Sequence, residues 1–580
     1  MACITWAYVV FRSVLVPVTH DEAMTFFTYV ETGDFLPFRA HWDAGNHLLC
    51  TALAWYCYKL FGFQLWALRL PSVLAFVLYA FYAWRWGRML NNVMVRWCLW
   101  AALLLMPFML DFFSLFRGYA LAMAFWTMAL FHVISYVHRG GRMHILATLG
   151  AMLTASFAAL SLATIWAFVL VVLAVFVPLH EPTNRTRAGS FLAIFILGIA
   201  PLIFVSEYLG ALASRDLLYF GMKDGLINGT LWSVLRAMFR LTNTWAIGSI
   251  VLIAVAVFVV ALRAWRTDRS ATRTALMLLC GLLIGDVCAR IVLHAWKGTL
   301  YPEDRTALQW VVLFVLALAI AIDRSTSIRP AWRFAALSLL ILPTRTLLTS
   351  NTGTTSYWPE QAIPSSVFRA VSEEQRSLGR PITIGAYHQM PGCWAFGMRQ
   401  RGLMLNAVDV VDFPRNDCDQ MLVDPLRDAP YPEGYHAIAD AGTHRQFLLA
   451  RDHPLHTRLV VDSTIARTMN DDEFTELWHP SPQQAHGHRY LVQVDAVLNS
   501  EAAPLLAHLV SETNRANDKS HYEDVPLQFI RGEWHGDTLR LVRNVPSVPM
   551  DADRCVIYLW NEARSNYSVA ARLRVFIVDE

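Results

Sequence analysis

The feature that most constrains this chain is a succession of long apolar runs in its first 344 residues. They fall near 2–18, 70–87, 97–110, 119–137, 144–160, 164–179, 190–208, 245–264, 274–294, 307–322 and 331–344. A helix needs about 20 apolar residues to cross hydrocarbon, fewer where helices are short or tilted. Backbone polar groups find no water there, so an apolar run must satisfy its own hydrogen bonds as a helix. The sequence therefore predicts a polytopic α-helical membrane protein of about eleven transmembrane helices. Composition agrees. Only 16% of the 580 residues are charged and 56% are hydrophobic, where a soluble domain carries about 25% charged. An average soluble protein is excluded, and so is a disordered one, which needs low hydrophobicity.

Lys and Arg placement sets the orientation. Met1 to Val18 runs straight into His20-Asp21-Glu22 without a small-residue cleavage site, so it reads as the first span rather than a cleavable signal. Arg12 sits inside it, facing the bundle or snorkelling. Basic clusters then occupy alternate loops: Arg85, Arg88 and Arg96; Arg139 and Arg142; Arg185 and Arg187; Arg263, Arg266, Arg269 and Arg273; Arg324, Arg329 and Arg333. These loops are expected in the cytoplasm. The other loops gather acids, from Asp21, Glu22, Glu31, Asp34 and Asp43 to Asp111, Glu207, Asp216, Asp224, Glu303 and Asp304. His47 to Phe61 is also apolar, but a span there would invert every later loop. It reads as an interfacial helix carrying Trp55, Tyr56 and Tyr58. An odd number of spans places the rest of the chain outside. In a bacterium that means a multi-pass inner-membrane protein with a periplasmic C-terminal region.

The net charge divides accordingly, +11 over residues 1–344 and −8 over 345–580. Nucleic acid is an unsuitable partner, because the basic residues recur in short clusters and never form one long run. The expected domains are a transmembrane domain over 1–344, an α/β region over 345–486 and a β-rich, β-sandwich-like region over 487–580. The first of the outer regions shows a helix at Ser366 to Leu378 and strand-like pieces at 381–385, 403–411, 437–439 and 447–450. The second shows short β-type runs at 489–494, 527–530, 539–542, 555–560 and 570–578. Cys393, Cys418 and Cys555 are the cysteines of the outer half. Cys393 and Cys418 are able to pair in an oxidising compartment, and sequence does not assign the pairing.

Chemistry concentrates outside the first span. Asp21 and Glu22 stand together there, costly to desolvate unless used or paired. A carboxylate at that place can serve as general base toward an acceptor hydroxyl. The pair is followed by Gly33-Asp34, Asn46-His47-Leu48-Leu49, Phe61-Gly62 and Leu68-Arg69-Leu70-Pro71-Ser72. Farther on come Ser114-Leu115-Phe116-Arg117-Gly118-Tyr119 and Tyr301-Pro302-Glu303-Asp304-Arg305. This succession resembles the GT-C superfamily of integral-membrane glycosyltransferases, in the branch of protein O-mannosyltransferases and the aminoarabinose transferase of lipid A modification. The likeness covers residues 1–344 and is strongest over 15–125. The element Asn46-His47-Leu48-Leu49 departs from the branch's His-Pro-Pro-Leu form by lacking both prolines.

The resemblance implies a GT-C-like membrane domain that transfers a sugar from a polyprenyl-phosphate carrier to an outward-facing envelope acceptor; one base, one acceptor hydroxyl and a phosphate leaving group need no covalent intermediate, so inversion is expected. It assigns Asp21 as base with Glu22 beside it, and Arg69, Arg117 and Arg305 as donor-phosphate ligands, since guanidinium matches phosphate oxygens bidentately. His47, Tyr119, Glu303 and Asp304 are secondary substrate-binding candidates. A divalent cation held by Asp21 with Glu303 or Asp304 stays open. Two rival readings stand beside this one. Asp286 and Arg290, one helical turn apart, suit a transporter or flippase of lipid-linked sugars as well as a structural charge pair. Trp534 and Trp560 suit a non-catalytic scaffold that binds glycan through its β-rich tail.

Overall fold

In a computed structural model the chain divides into two compact units. One is Met1–Leu15 with Gly33–Thr352, the other Val16–Thr32 with Gly353–Glu580. The structure describes residues 1–239, 243–265, 270–439, 446–500, 505–516, 518–530, 538–545 and 547–579. Arg266, Arg269 and Trp534 lie outside them.

The first unit is a helical bundle. Among the described residues eight helices are long and apolar enough to cross a membrane, or up to ten if two bent pairs each count as one span. The eight are Leu65–Arg88, Tyr119–Arg139, Leu160–His180, Asn184–Ala213, Thr244–Arg263, Ala271–Lys297, Asp304–Thr326 and Pro330–Thr349. The difference from about eleven has physical causes. The run 2–18 is helical over Ala2–Leu15 and stops before Pro17. The run 97–110 breaks at Pro107 into Val93–Leu104 and Pro107–Phe113, bent by 52°, because proline removes a backbone donor and clashes with the preceding turn. The run 144–160 is the helix Arg142–Ala158, whose 17 residues rise only about 26 Å. Leu48–Phe61 is a helix of 14 residues, about 21 Å long and too short for a hydrocarbon core of about 30 Å.

Contacts within this unit sort its loops onto two ends. Asp323 accepts from the backbone N–H groups of Asn91 and Asn92 at 3.1 and 2.7 Å. Arg324 donates to Ser270 Oγ and Thr272 Oγ1. Arg142 pairs with Glu181 at 3.5 Å, and His180 reaches the Val137 carbonyl at 3.0 Å. Tyr82, His132 and His144 form a hydrogen-bonded chain that joins these groups near Arg85, whose guanidinium lies 4.1 Å from the Phe131 ring. Arg85, Arg142 and Arg324 thus lie at one end. At the other, Trp42 stacks on Tyr208 at 5.6 Å, Arg215 lies over Trp42, and Met222 pairs with Tyr301 as a two-residue bridge.

The second unit carries three sheets. β1 (Ile384–Ala386), β2 (Val408–Asp409), β3 (Gln420–Val423), β4 (Tyr435–Ala439) and β5 (Phe447–Arg451) form a five-stranded sheet of order β2-β1-β3-β5-β4. Its β1–β2 and β1–β3 pairs are parallel, the rest antiparallel. The helices Ser365–Leu378 and Met390–Gln400 flank these strands in sequence.

The remaining strands are β6 (His456–Met469), β7 (Phe474–Trp478), β8 (Arg489–Ser500), β9 (His508–Arg515), β10 (Asp518–Pro526), β11 (Thr538–Val545), β12 (Arg554–Trp560) and β13 (Tyr567–Asp579). They build two antiparallel sheets, β10-β9-β12-β7 and β11-β8-β13-β6. Trp478 against Tyr490, with rings 5.1 Å apart, and Thr475 with Tyr567, at 2.6 Å, join one sheet to the other. β6 and β7, sequentially before residue 487, pair with β13 and β12. The run 527–530 is a single 3-10 turn, Leu527–Phe529, instead of a strand.

Candidate active site

The acidic segment outside the first span belongs to the second unit. It forms a helix, His20–Thr25, that continues as a π-helical turn, Phe26–Val30. The Thr19 backbone N–H and hydroxyl both donate to Glu22 Oε2, at 3.0 and 3.1 Å, closing a capping box over a helix start. Glu22 is 1% exposed. Its carboxylate therefore serves the helix N-terminus, where the dipole favours negative charge. Asp21, half-buried on the same turn, also lies in that favourable field, and its carbonyl accepts from Thr25 Oγ1 at 2.7 Å.

The first unit holds most of the other sequence candidates in two groups. In the first, the turn Arg117-Gly118 between Pro107–Phe113 and Tyr119–Arg139 packs against His47. The His47 Nδ1–H donates to the Ala158 carbonyl at 2.8 Å, which leaves Nε2 as the acceptor nitrogen. The His47 ring meets Tyr119 edge-on at 4.7 Å. A Cβ on Gly118 would stand 2.0 Å from the Ala158 oxygen and 2.8 Å from His47 Cβ, so only glycine lets the turn approach. Ser72 Oγ donates to the Arg117 carbonyl at 3.4 Å. One turn earlier on the same helix, Arg69 is fully buried and donates to the Ser13 carbonyl at 3.2 Å. Arg117 is 6% exposed.

The second group is the turn before Asp304–Thr326. Glu303 caps it, its N–H donating to Thr306 Oγ1 at 2.8 Å, and lies 3.8 Å from Arg236. Asp304 takes a positive φ of 32°, and its N–H donates to Ser233 Oγ at 2.9 Å. The Arg305 guanidinium lies 4.0 Å from the Phe220 ring. Burial, and then repulsion from Asp304, push the Glu303 carboxyl above its ordinary range, against the pull of Arg236 and Arg305. Among the described residues no three His, Cys, Asp or Glu side chains gather as a metal site.

Sequence reading missed two features. Asp111, expected in an outward loop, is buried and forms an ion pair with Arg12. The Val16–Thr32 segment is held by partners in the Met390–Gln400 helix, Arg399 among them. No local signal marks either pairing, because the partners are far apart in sequence. Asp286 is tied structurally. It pairs with Arg290 at 3.1 Å and accepts from Trp310 Nε1 at 2.7 Å, while Arg290 also donates to the Ser161 carbonyl.

No protein-family model matches the chain, and no curated protein matches it. Solved structures do. The chain is similar to the arabinosyltransferase EmbB from Mycobacterium smegmatis at 12% identity and a TM-score of 0.36, covering 99% of this chain and 64% of that one. It is similar to ArnT from Cupriavidus metallidurans bound to undecaprenyl phosphate at 14% identity and a TM-score of 0.36, covering 77% and 96%. A third likeness, to the mycobacterial arabinofuranosyltransferase AftD, has 12% identity and a TM-score of 0.39, covering 100% and 61%. The chain thus spans less than two thirds of EmbB and of AftD.

Proposed function

We propose that this multi-pass membrane protein is an inverting glycosyltransferase. It moves a sugar from a polyprenyl-phosphate donor to an envelope acceptor on the extracytoplasmic face of a bacterial inner membrane, the side to which the C-terminal region is assigned. The observation that carries the reading is the packing of Arg117-Gly118-Tyr119 on His47. Two motif segments, separated in sequence and both named by the GT-C resemblance, meet on a cation-bearing turn that tolerates only glycine at its centre.

The chemistry follows from the residue types. Asp21 accepts the proton of an acceptor hydroxyl. The hydroxyl oxygen attacks the anomeric carbon on the face opposite the phosphate, the bond from that carbon to the phosphate oxygen breaks, and configuration inverts. The departing lipid phosphate carries the negative charge. Arg117 and Arg69, with Arg305, are assigned to stabilise it. Glu22 holds the turn on which Asp21 stands, while His47, Tyr119, Glu303 and Asp304 shape the substrate site.

The test begins with mass spectrometry of envelope lipids and glycans from cells with and without the gene, to identify the sugar and acceptor. Purified protein is then assayed with the matching short-chain polyprenyl-phosphate sugar. The expected result is transfer with inverted anomeric configuration and loss of transfer in Arg117→Ala, with Arg117→Lys intermediate. Retention of configuration, or full transfer by Arg117→Ala, would overturn the assignment.

A further inference from the structure

The acidic segment and the helix Met390–Gln400 run side by side, in parallel and in register, within the second unit. The His20 Nδ1–H donates to the Gln389 carbonyl at 2.9 Å. His20 N–H donates to Gln361 Oε1 at 3.0 Å, and Gln361 Nε2 to Gln389 Oε1 at 3.1 Å. One turn on, a Cβ built at Gly392 would lie 3.3 Å from Ala23 Cβ and 3.2 Å from Met24 Sδ. One turn further, Phe26 and Phe27 meet Phe396 edge-on at 5.5 and 6.4 Å. At the far end Glu31 and Arg399 form an ion pair whose side chains are 0% and 7% exposed. The partners advance together along both segments.

We infer that the Met390–Gln400 helix is a positioning element for Asp21, with Gly392 and Arg399 as its positioning residues. This rests on the reading of Asp21 as general base. The helical segment His20–Val30 is shorter than the roughly 12–15 residues at which an isolated helix holds its own geometry, so the direction in which Asp21 points is set by what clamps the segment. The clamp has three parts of different kinds. A hydrogen bond at the N-terminus fixes the start. The close approach at Gly392 sets the separation. A buried ion pair at the C-terminus penalises any slip along the axis, since a slipped register leaves two buried charges apart. Displacing a catalytic group by about 1 Å can cost about 100-fold in rate. The C-terminal region therefore acts in the transfer step itself.

The experiment uses the full-length protein in detergent or nanodiscs. Gly392→Leu and Arg399→Met are expected to lower kcat about 10- to 100-fold while KM for the donor stays within about twofold, because no donor-binding arginine is touched. Gly392→Ala keeps the helix, and raises its intrinsic propensity, so a smaller loss of kcat without loss of thermal stability separates positioning from folding. Arg399→Lys should recover part of the rate. Independently, Ala23→Cys with Gly392→Cys should form a disulfide on mild oxidation, mapped by peptide mass spectrometry, whereas Ala23→Cys with Met398→Cys should not. If Gly392→Leu transfers at the wild-type rate while Asp21→Asn is dead, the base stands and the positioning inference falls. If Asp21→Asn itself transfers at the wild-type rate, the base assignment falls and takes the inference with it. Failure of the Ala23–Gly392 pair to cross-link overturns the register directly.

Discussion

Arg12, within the first helix, and Asp111, on the short helix that leads to Arg117, form an ion pair with 1% and 2% of their side chains exposed. Arg12 also reaches Tyr8 and Ser114, so the first helix is fastened to the segment that carries the Arg117-Gly118 turn. Removing one partner leaves the other charge buried. Arg12→Met is expected to destabilise the protein by about 3–5 kcal/mol. Adding Asp111→Leu should restore much of that, since a well-packed apolar pair can replace a buried ion pair. Thermal unfolding in detergent, followed by intrinsic fluorescence, reads both.

Gly118 is an exacting position in the first unit. Its missing Cβ would collide with a backbone oxygen, which cannot swing away. Gly118→Ala should displace the turn and lower transfer about tenfold or more. His47→Ala, which removes the bond to the Ala158 carbonyl, should cost about 1 kcal/mol of stability and weaken transfer through the same turn. Donor KM and kcat measured on both variants check the pair.

The two adjacent carboxylates should separate cleanly. Asp21→Asn cannot accept a proton and is expected to lose about 10² to 10⁴ in rate with stability unchanged. Glu22→Gln keeps an acceptor for Thr19 and should lose less. Glu22→Ala should lose about 1 kcal/mol of stability with the cap. An active Asp21→Asn beside a dead Glu22→Gln would reverse the roles assigned to them.

Glu303 makes a testable contribution to pH dependence. Its folded pKa is raised, first by burial and then by Asp304. The stability it contributes is therefore fully present below its unfolded pKa of about 4.3 and is lost as pH rises through the raised folded value. Glu303→Gln should be more stable than the parent at neutral pH and should flatten this part of the profile of melting temperature against pH. An unchanged profile would show that the carboxyl is solvated.

Cys393, Cys418 and Cys555 are buried free thiols. Burial pushes all three up, Cys555 to about 11, so none is a ready nucleophile. The expected outcome is slow alkylation of the native protein, and complete alkylation of these three residues after denaturation without reductant. A disulfide between Cys393 and Cys418 in the denatured, unreduced protein would contradict it.

The long helices were legible because an uninterrupted apolar run leaves the chain little choice. The strands β8, β11, β12 and β13 were legible from their apolar content. β6 was not, because it is a largely exposed edge strand whose side chains need no apolar pattern. The Met390–Gln400 helix was hidden for the opposite reason. Met390, Cys393, Trp394 and Phe396 are all buried, so no polar face marks a helical period. Its two glycines, poor helix formers, are there for contact. Gly392 faces Ala23, and Gly397 faces the Phe368 ring.

What the sequence by itself determined is therefore the membrane half, with its run of long apolar helices, and the residue types from which a phosphate-directed site is proposed. These follow from solvation, which acts residue by residue. What only the tertiary structure decided is partnership. It fastened Arg12 to Asp111, set Gly118 on His47, spent Glu22 on a helix cap and gave the segment Val16–Thr32 to the C-terminal unit through Glu31 and Arg399. Such pairings depend on which distant side chains close packing brings together, and no local pattern encodes that.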